Sequence, residues 1–269
     1  MMKKYGISRR TAAEAGVDYP KTSFSGNPID RAYLIGLRTG DLHATIDGNQ
    51  VRIDTSTTHP AMWELVSSCF GKYGRVNRTP SKWKDGFQWM VYGYLDKSFD
   101  FLLTKPQRVP KEIISDRVLF LSFLSGYIDA EGNLRIFRNE NKVGVSFRIN
   151  SEDEGILRDI RDALRTMGYH VYFALGEEKG TRNGKTYRKR LWTLGMFRKN
   201  EVIELLGRLT LRHHEKIRWA ALIVLGREKS WHSFEPLVSA HKEKVRRGVL
   251  RFVGEAERQY RVRHERKRD

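Results

Sequence analysis

Leu34-Ile35-Gly36-Leu37-Arg38-Thr39-Gly40-Asp41-Leu42 and Leu124-Ser125-Gly126-Tyr127-Ile128-Asp129-Ala130-Glu131-Gly132 are one pattern written twice, 90 positions apart, each closing on a carboxylate. Small residues recur four apart in both copies, Gly36 with Gly40 and Gly126 with Ala130, the spacing that lets two helix backbones approach closely. Apolar runs before each acid, Ala32 to Leu37 and Leu119 to Ile128, predict helices buried on most sides. Each acid then falls at a helix C-terminus, where the macrodipole disfavours negative charge by a few tenths to about 1 kcal/mol. Paying that cost twice, at matched positions, implies a cation. If the helices pack side by side, Asp41 and Glu131 meet at one end of the interface and, with the main-chain carbonyls of Gly40 and Ala130, make a hard oxygen site of the kind Mg²⁺ accepts. A plain helix contact with acids near the cap is the bland reading, and aligned acids in a doubled motif argue against it.

The surroundings repeat as well. After the first acid, Leu42, Ala44 and Ile46 alternate with His43, Thr45 and Asp47, Asp47-Gly48 marks a turn, and Val51 and Ile53 alternate with Gln50, Arg52 and Asp54. After the second, Leu134 and Ile136 face one way, then Val145, Phe147 and Ile149 alternate with Ser146, Arg148 and Asn150. Helical patterns follow over residues 60–73 and 152–167, closed by Gly74 and Gly168. Further strands come at residues 75–77, 87–94, 169–175 and 188–196, and each half ends in an apolar helix, residues 97–103 and 199–209. The class is therefore α+β: two tandem α-β-β-α-β-β-α repeats, with antiparallel sheets that face water on one side and helices on the other. The expected organisation is an N-terminal extension over 1–28, a first half over 29–103, a linker over 104–115 with Pro106 and Pro110, a second half over 116–226 and a basic C-terminal extension over 227–269.

The second motif resembles, at nearly every place, the signature of the LAGLIDADG homing endonucleases. The first is a degraded copy, with Thr39 where the family carries an acid and Leu42 where it carries glycine. The resemblance implies a single-chain pseudo-dimer in which the two motif helices form the central interface and two curved sheets form a pseudo-two-fold saddle over duplex DNA. It implies Mg²⁺-dependent (or Mn²⁺-dependent) hydrolysis of one phosphodiester per strand, with Asp41 and Glu131 catalytic. A basic residue just after the last strand-helix unit is implied beside the scissile phosphate. Lys216 is the choice, with His214 second, and in the first half the choice lies between Lys105 and Lys111, Lys111 being taken as catalytic.

The exposed strand faces fit that picture. Gln50, Arg52, Arg135, Arg138, Ser146, Arg148 and Asn150 lie on or near the polar sides, and Arg75, Arg78, Lys82, Lys84, Arg188 and Arg190 border the other strands and loops. Arg, Gln and Asn can bond base edges in the major groove, which admits a two-stranded ribbon. For any one of them a solvated sheet face is the competing reading. Trp83, Trp89 and Trp192 are expected to pack.

Composition agrees. Fifty Lys and Arg against 32 Asp and Glu leave a net charge of +18, spread over both halves and densest near the C-terminus, which favours a polyanionic partner with a long backbone footprint. Cys69 is alone, so no intramolecular disulfide forms, and no Cys/His spacing suits zinc. The longest apolar stretch is too short to span a bilayer and the N-terminus lacks a signal-peptide core, so the expectation is an intracellular monomer, cytoplasmic or in a nucleoid or organelle, with no membrane contact. Residues 7–16 resemble one helix of a helix-turn-helix. Residues 237–269 read as a basic amphipathic helix that either docks on the body or extends phosphate contacts. The partner expected is double-stranded DNA, with intron RNA a further candidate. The rival reading is a non-cleaving nucleic-acid binder of the same fold, an intron RNA maturase or a DNA-binding regulator.

Overall fold

The structure, a computed structural model, describes residues 20–177, 180–182, 185–187 and 190–265. Helix α1 (Pro28–Thr39) begins where the Asn27 side chain accepts from the N–H of Asp30 and Pro28 takes a position whose own N–H would be orphaned. Strands β1 (His43–Asp47) and β2 (Gln50–Thr57) follow as a hairpin, with Gly48 at φ 60° in its turn. Then come α2 (Pro60–Phe70), β3 (Val76–Trp83) and β4 (Gly86–Leu95). Residues 97–103 read as a helix of the repeat, and Lys97–Leu102 forms a 3₁₀ helix capped by Asp96. Residues 104–115 are ordered: the short α3 (Lys111–Ile114) lies there, and Arg108 Nε and the Val109 N–H both donate to Asp159, at 2.8 and 2.9 Å.

The second half repeats the order. Helix α4 (Arg117–Glu131) is capped by Asp116, then come β5 (Gly132–Asn139), β6 (Lys142–Ser151), α5 (Glu154–Thr166) and β7 (Tyr172–Glu177). A small hairpin, β8 (Gly180–Arg182) and β9 (Lys185–Tyr187), intervenes before β10 (Leu191–Met196). Helices α6 (Lys199–Arg208), α7 (His214–Leu225) and α8 (Trp231–Glu265) complete the described chain. The two four-stranded antiparallel sheets share one topology, β1-β2-β4-β3 and β5-β6-β10-β7. Each half keeps its own apolar cluster under its sheet, and α1 and α4 join them. The architecture is the α+β pseudo-dimer that the sequence repeat predicts.

Helix α8 spans both halves. Near its start Phe234 and Val238 enter the second-half core; further on Phe252 and Ala256 pack on Trp89, whose indole N–H donates to the Phe252 carbonyl at 2.9 Å. The tail therefore docks on the helix-bearing side of the sheets. No helix among the described residues is long and apolar enough to cross a membrane. The helical reading of residues 7–16 lies outside the described residues.

Candidate functional site

The site is built on the α1–α4 contact. A methyl group placed on Gly36 would run into the carbonyl of Phe123, and one on Gly126 into the carbonyl of Tyr33. Position 33 stands to 123 as 36 stands to 126, so the two contacts are one contact seen twice about a pseudo-two-fold axis. Only glycine permits that approach. One turn on, Gly40 lies against Ala130, and the next residues are Asp41 and Glu131.

Asp41 is exposed and Glu131 half-buried. Partial desolvation, opposed by Lys216 and Lys105, raises the Asp41 carboxyl above its ordinary range. Desolvation first, then the charge of Asp41, pushes Glu131 up to about 7. Glu131 lies within the field of Asp41, and for both acids desolvation outweighs the charges of Lys216 and Lys105, which is the electrostatic condition a divalent ion would relieve. Among the described residues no three His, Cys, Asp or Glu side chains converge to hold a metal. The residues fit Mg²⁺ nonetheless, since that ion commonly uses one or two carboxylates and takes its other oxygens from water and phosphate.

Lys216, on α7, donates to the carbonyls of Ile128, Asp129 and Ala130, the latter two at 2.7 and 3.1 Å. It closes the C-terminal end of α4, where a cation is favoured. Burial lowers its ammonium to about 8 against the pull of Asp129, Asp41 and Glu131. The Ala130 carbonyl, a candidate metal ligand, thus already accepts from Lys216. On α1 the buried Arg38 donates to the carbonyls of Leu102 at 2.7 Å and Leu42 at 3.0 Å, which holds the segment just past Asp41. Of the first-half lysines, Lys105 is the one whose charge reaches both acids, and it is ion-paired to Asp153 at 2.9 Å. Lys111 sits on α3, outside that set. His214 pairs with Glu64 at 2.8 Å instead of facing the acids. A cleft of about 590 Å³ opens beside Glu131, with Lys105, Asn150 and Asp153 among its walls.

The inner acid of the second motif has a structural task that sequence reading missed. Asp129 is fully buried and one oxygen accepts from the Tyr33 hydroxyl at 2.6 Å and the N–H groups of Arg212 and His213 at 2.6 and 3.2 Å. It ties α1, α4 and the approach to α7 together. Thr39, its counterpart, turns its hydroxyl back to the Ile35 carbonyl at 2.7 Å.

Sheet register decides which candidate contacts share the open face. Arg52 lies opposite Thr45 and Tyr94, and Asp54 opposite His43 and Tyr92, which in turn lies opposite Asn77. In the second half Arg148 lies opposite Asn133 and Gly195, Arg135 opposite Ser146, and Asn150 opposite Thr193, whose hydroxyl donates to it at 2.8 Å. Gln50, Arg52, Arg135, Arg148 and Asn150 thus share the faces turned from the helices. Tyr92, Tyr94, Asn77 and Thr193 join them, and strand alternation could have found them had register been known.

Other candidates stand elsewhere. Arg78 lies opposite Val91, on the helix side: its guanidinium stacks over Trp89 at 4.3 Å and pairs with Glu255 of α8 at 3.0 Å. Lys82 follows Arg78 in phase, opposite Phe87, which packs on Tyr260 of α8. Ser146 shares the face of Arg135 and Arg148 by register but is buried there, at 2% exposure. Arg138 continues the phase of Leu134 and Ile136 and donates to the Glu140 carbonyl. Lys84 stands in the β3–β4 turn over the Trp83 ring, while Arg75 and Arg190 are exposed just ahead of β3 and β10. Arg188 lies outside the described residues. Of the tryptophans, Trp89 is buried and Trp192 stacks on Phe173, whereas Trp83 is 54% exposed.

Two motif helices in contact at paired glycines, each ending in an acid below an open sheet, define the single-chain, two-motif LAGLIDADG architecture. Residues 120–216 match the family model described as a LAGLIDADG-like domain, and the resemblance carried by the second motif holds over that stretch. The structure is similar to that of the homing endonuclease I-WcaI bound to its DNA recognition sequence, with a TM-score of 0.52 at 14% identity over 77% of this chain and 91% of that one. It is similar also to a point mutant of I-SmaMI, with a TM-score of 0.50 at 9% identity over 81% of this chain and 99% of that one. At such identities the likeness is one of fold. No curated protein matches the chain by sequence.

Proposed function

We propose that this protein is a site-specific double-stranded DNA endonuclease of the homing type, a monomer that hydrolyses one phosphodiester in each strand with a divalent metal, Mg²⁺ or Mn²⁺. What supports the proposal is the packing of Gly40 against Ala130 and the Glu131 side chain, which puts the two motif acids at the same end of the α1–α4 contact, with both carboxyls raised by desolvation and Glu131 raised further by Asp41. The two carboxylates would hold the cation, which when bound lowers the pKa of an attacking water and neutralises charge on the leaving oxygen. The remaining work belongs to the chain. Gly36 and Gly126 set the separation of the acids by allowing the helices to touch, Lys216 holds the end of α4 below Glu131, and Arg38 holds the Leu42 carbonyl just past Asp41. Lys105 brings a cation beside the centre and is the first-half candidate for charge stabilisation of the phosphate. Gln50, Arg52, Arg135, Arg148 and Asn150 would read the duplex from the open faces.

A non-cleaving binder of the same fold is the second reading. Thr39 is turned onto its own helix, and the ammonium of Lys216 is taken up by three main-chain carbonyls. Selection of cleaved sites from a random duplex library with Mg²⁺ separates the two readings. Nicking or cutting that Asp41→Asn abolishes supports the nuclease; tight duplex binding with no cut in Mg²⁺ or Mn²⁺ overturns it.

A further inference from the structure

Among the described residues several clefts lie away from the open sheet faces or at their margins, and three of them bear comparison. The one beside Glu131 belongs to the acid centre. A second, of about 760 Å³ between the start of α6 and the α7–α8 turn, has Glu201 and Glu228 in its wall, and two of its cations are engaged: Lys199 donates to the Arg227 carbonyl and Arg198 pairs with Glu201. The third differs from both. It has a volume of about 460 Å³ and lies along β5, the edge strand of the second sheet, where α7 and α8 pack against it. Its wall holds two half-buried indoles, Trp219 of α7 and Trp231 at the start of α8. Arg135, Arg138 and Lys242 are its cations, and no acid is among the described residues that line it.

Each part of that wall has a definite chemistry. Trp219 makes an edge contact with His241 at 4.7 Å, which orients its ring, and the main-chain N–H of Trp231 donates to the Asn141 carbonyl at 2.9 Å, which anchors the start of α8 to the β5–β6 turn; part of each residue stays accessible. Arg135 lies opposite Ser146 on the face turned from the helices, which makes the cleft continuous with the surface proposed to meet the duplex. Lys242 approaches from the other side, on α8. Two part-exposed indoles beside three cations, with no carboxylate among the lining residues to compete, suit a planar base that stacks and a phosphate that is bonded. A duplex offers no free base face, so the ligand must be unpaired.

We propose that this cleft binds one unpaired nucleotide of a single strand, its base against Trp219 and Trp231 and its phosphate on Arg135, Arg138 and Lys242. The strand enters or leaves the saddle past the edge of β5. The inference rests on the open faces being a nucleic-acid surface, and not on cleavage.

The test uses the full chain and three labelled probes read by fluorescence anisotropy at two salt concentrations: a ten-nucleotide oligo(dT), a ten-nucleotide oligo(U) and a duplex. Lys242→Glu and Trp231→Leu should each weaken single-strand binding about tenfold or more while changing duplex affinity less than about threefold. The better of the two single strands identifies the strand chemistry. Lys242 is exposed, so its variant folds even if Trp231→Leu does not. The proposal is overturned if neither single strand binds, if Lys242→Glu leaves single-strand affinity unchanged, or if duplex and single strand lose affinity equally. Loss of cleavage in Asp41→Asn should leave the single-strand affinities unchanged, which keeps a failed nuclease reading distinct from a failed cleft.

Discussion

The hydroxyl of Tyr33, from the first motif helix, donates at 2.6 Å to the buried carboxylate of Asp129, the inner acid of the second. The two halves are joined by a charged hydrogen bond in a place where neither group meets water. Tyr33→Phe should therefore destabilise the protein by about 1.5–3 kcal/mol, the range for hydrogen bonds to charged groups. Asp129→Asn should cost less than Asp129→Ala, because an amide oxygen still accepts from the Tyr33 hydroxyl and the Arg212 N–H. Thermal or urea unfolding reads both comparisons, and an Asp129→Ala variant as stable as the parent would remove the bond from the account.

Asp41→Asn and Glu131→Gln should each abolish double-strand cleavage and leave specific duplex binding within about tenfold, since each removes a metal ligand and little of the footprint. Gel-based cleavage and filter binding on the same preparations measure the two quantities. Full cutting by either variant would sink the shared-centre reading.

At Gly36 and Gly126 even alanine should destabilise, by about 1–3 kcal/mol, and leucine by more, because the new carbon meets a backbone carbonyl that cannot swing aside. Gly207 is the control: a methyl group there meets nothing. Equal melting temperatures for Gly126→Ala and Gly207→Ala would contradict the close helix approach.

The Glu131 carboxyl, pushed up to about 7 by desolvation and by Asp41, gives a pH dependence of definite sign. Between its ordinary range and pH 7 the folded chain keeps a proton that the unfolded chain gives up. This group's contribution to metal-free stability is therefore fully present at low pH and is lost as pH rises through that window. A divalent cation needs the ionised form. The rise in melting temperature on adding Mg²⁺ or Mn²⁺ should grow from pH 5.5 to about 7 and then level, and Glu131→Gln should flatten the profile. A metal-induced shift that is the same at pH 5.5 and pH 8 would count against the carboxylate pair.

Arg52→Ala and Arg148→Ala should relax base preference in opposite halves of the target, by about 1–3 kcal/mol at the contacted pair. Affinity against a panel of single-base variants checks this. Arg52 has Asp54 at 3.4 Å and Arg148 stacks over Phe197 at 5.0 Å, so both guanidinium groups are already oriented. A uniform loss across the panel would make them phosphate contacts only. Arg78→Ala, by contrast, should lower stability through lost stacking on Trp89 and leave base preference unchanged.

Periodicity carried much of the fold into view. Small residues four apart, an acid after each apolar run and two-residue alternation are local patterns, and each dictates a local structure: a close-packing helix, its end, a one-sided strand. Because Tyr33, Gly36 and Asp41 recur in register as Phe123, Gly126 and Glu131, the pairing of the halves was legible too. What lay outside local pattern was decided by packing. Alternation within β3 cannot say which of its faces meets water, and only the docking of α8 puts Arg78 and Lys82 on the outer side. Spacing cannot say which lysine reaches an acid, and the path of residues 104–115 along α5 brings Lys105 to the centre while Lys111 enters α3. The motif spelled out Asp129 but not its partners, since Tyr33, Arg212 and His213 come from distant segments of the chain. Sequence determines what each segment must bury; which polar groups then face one another depends on how the buried surfaces fit, and that is settled only when the elements close around a common core.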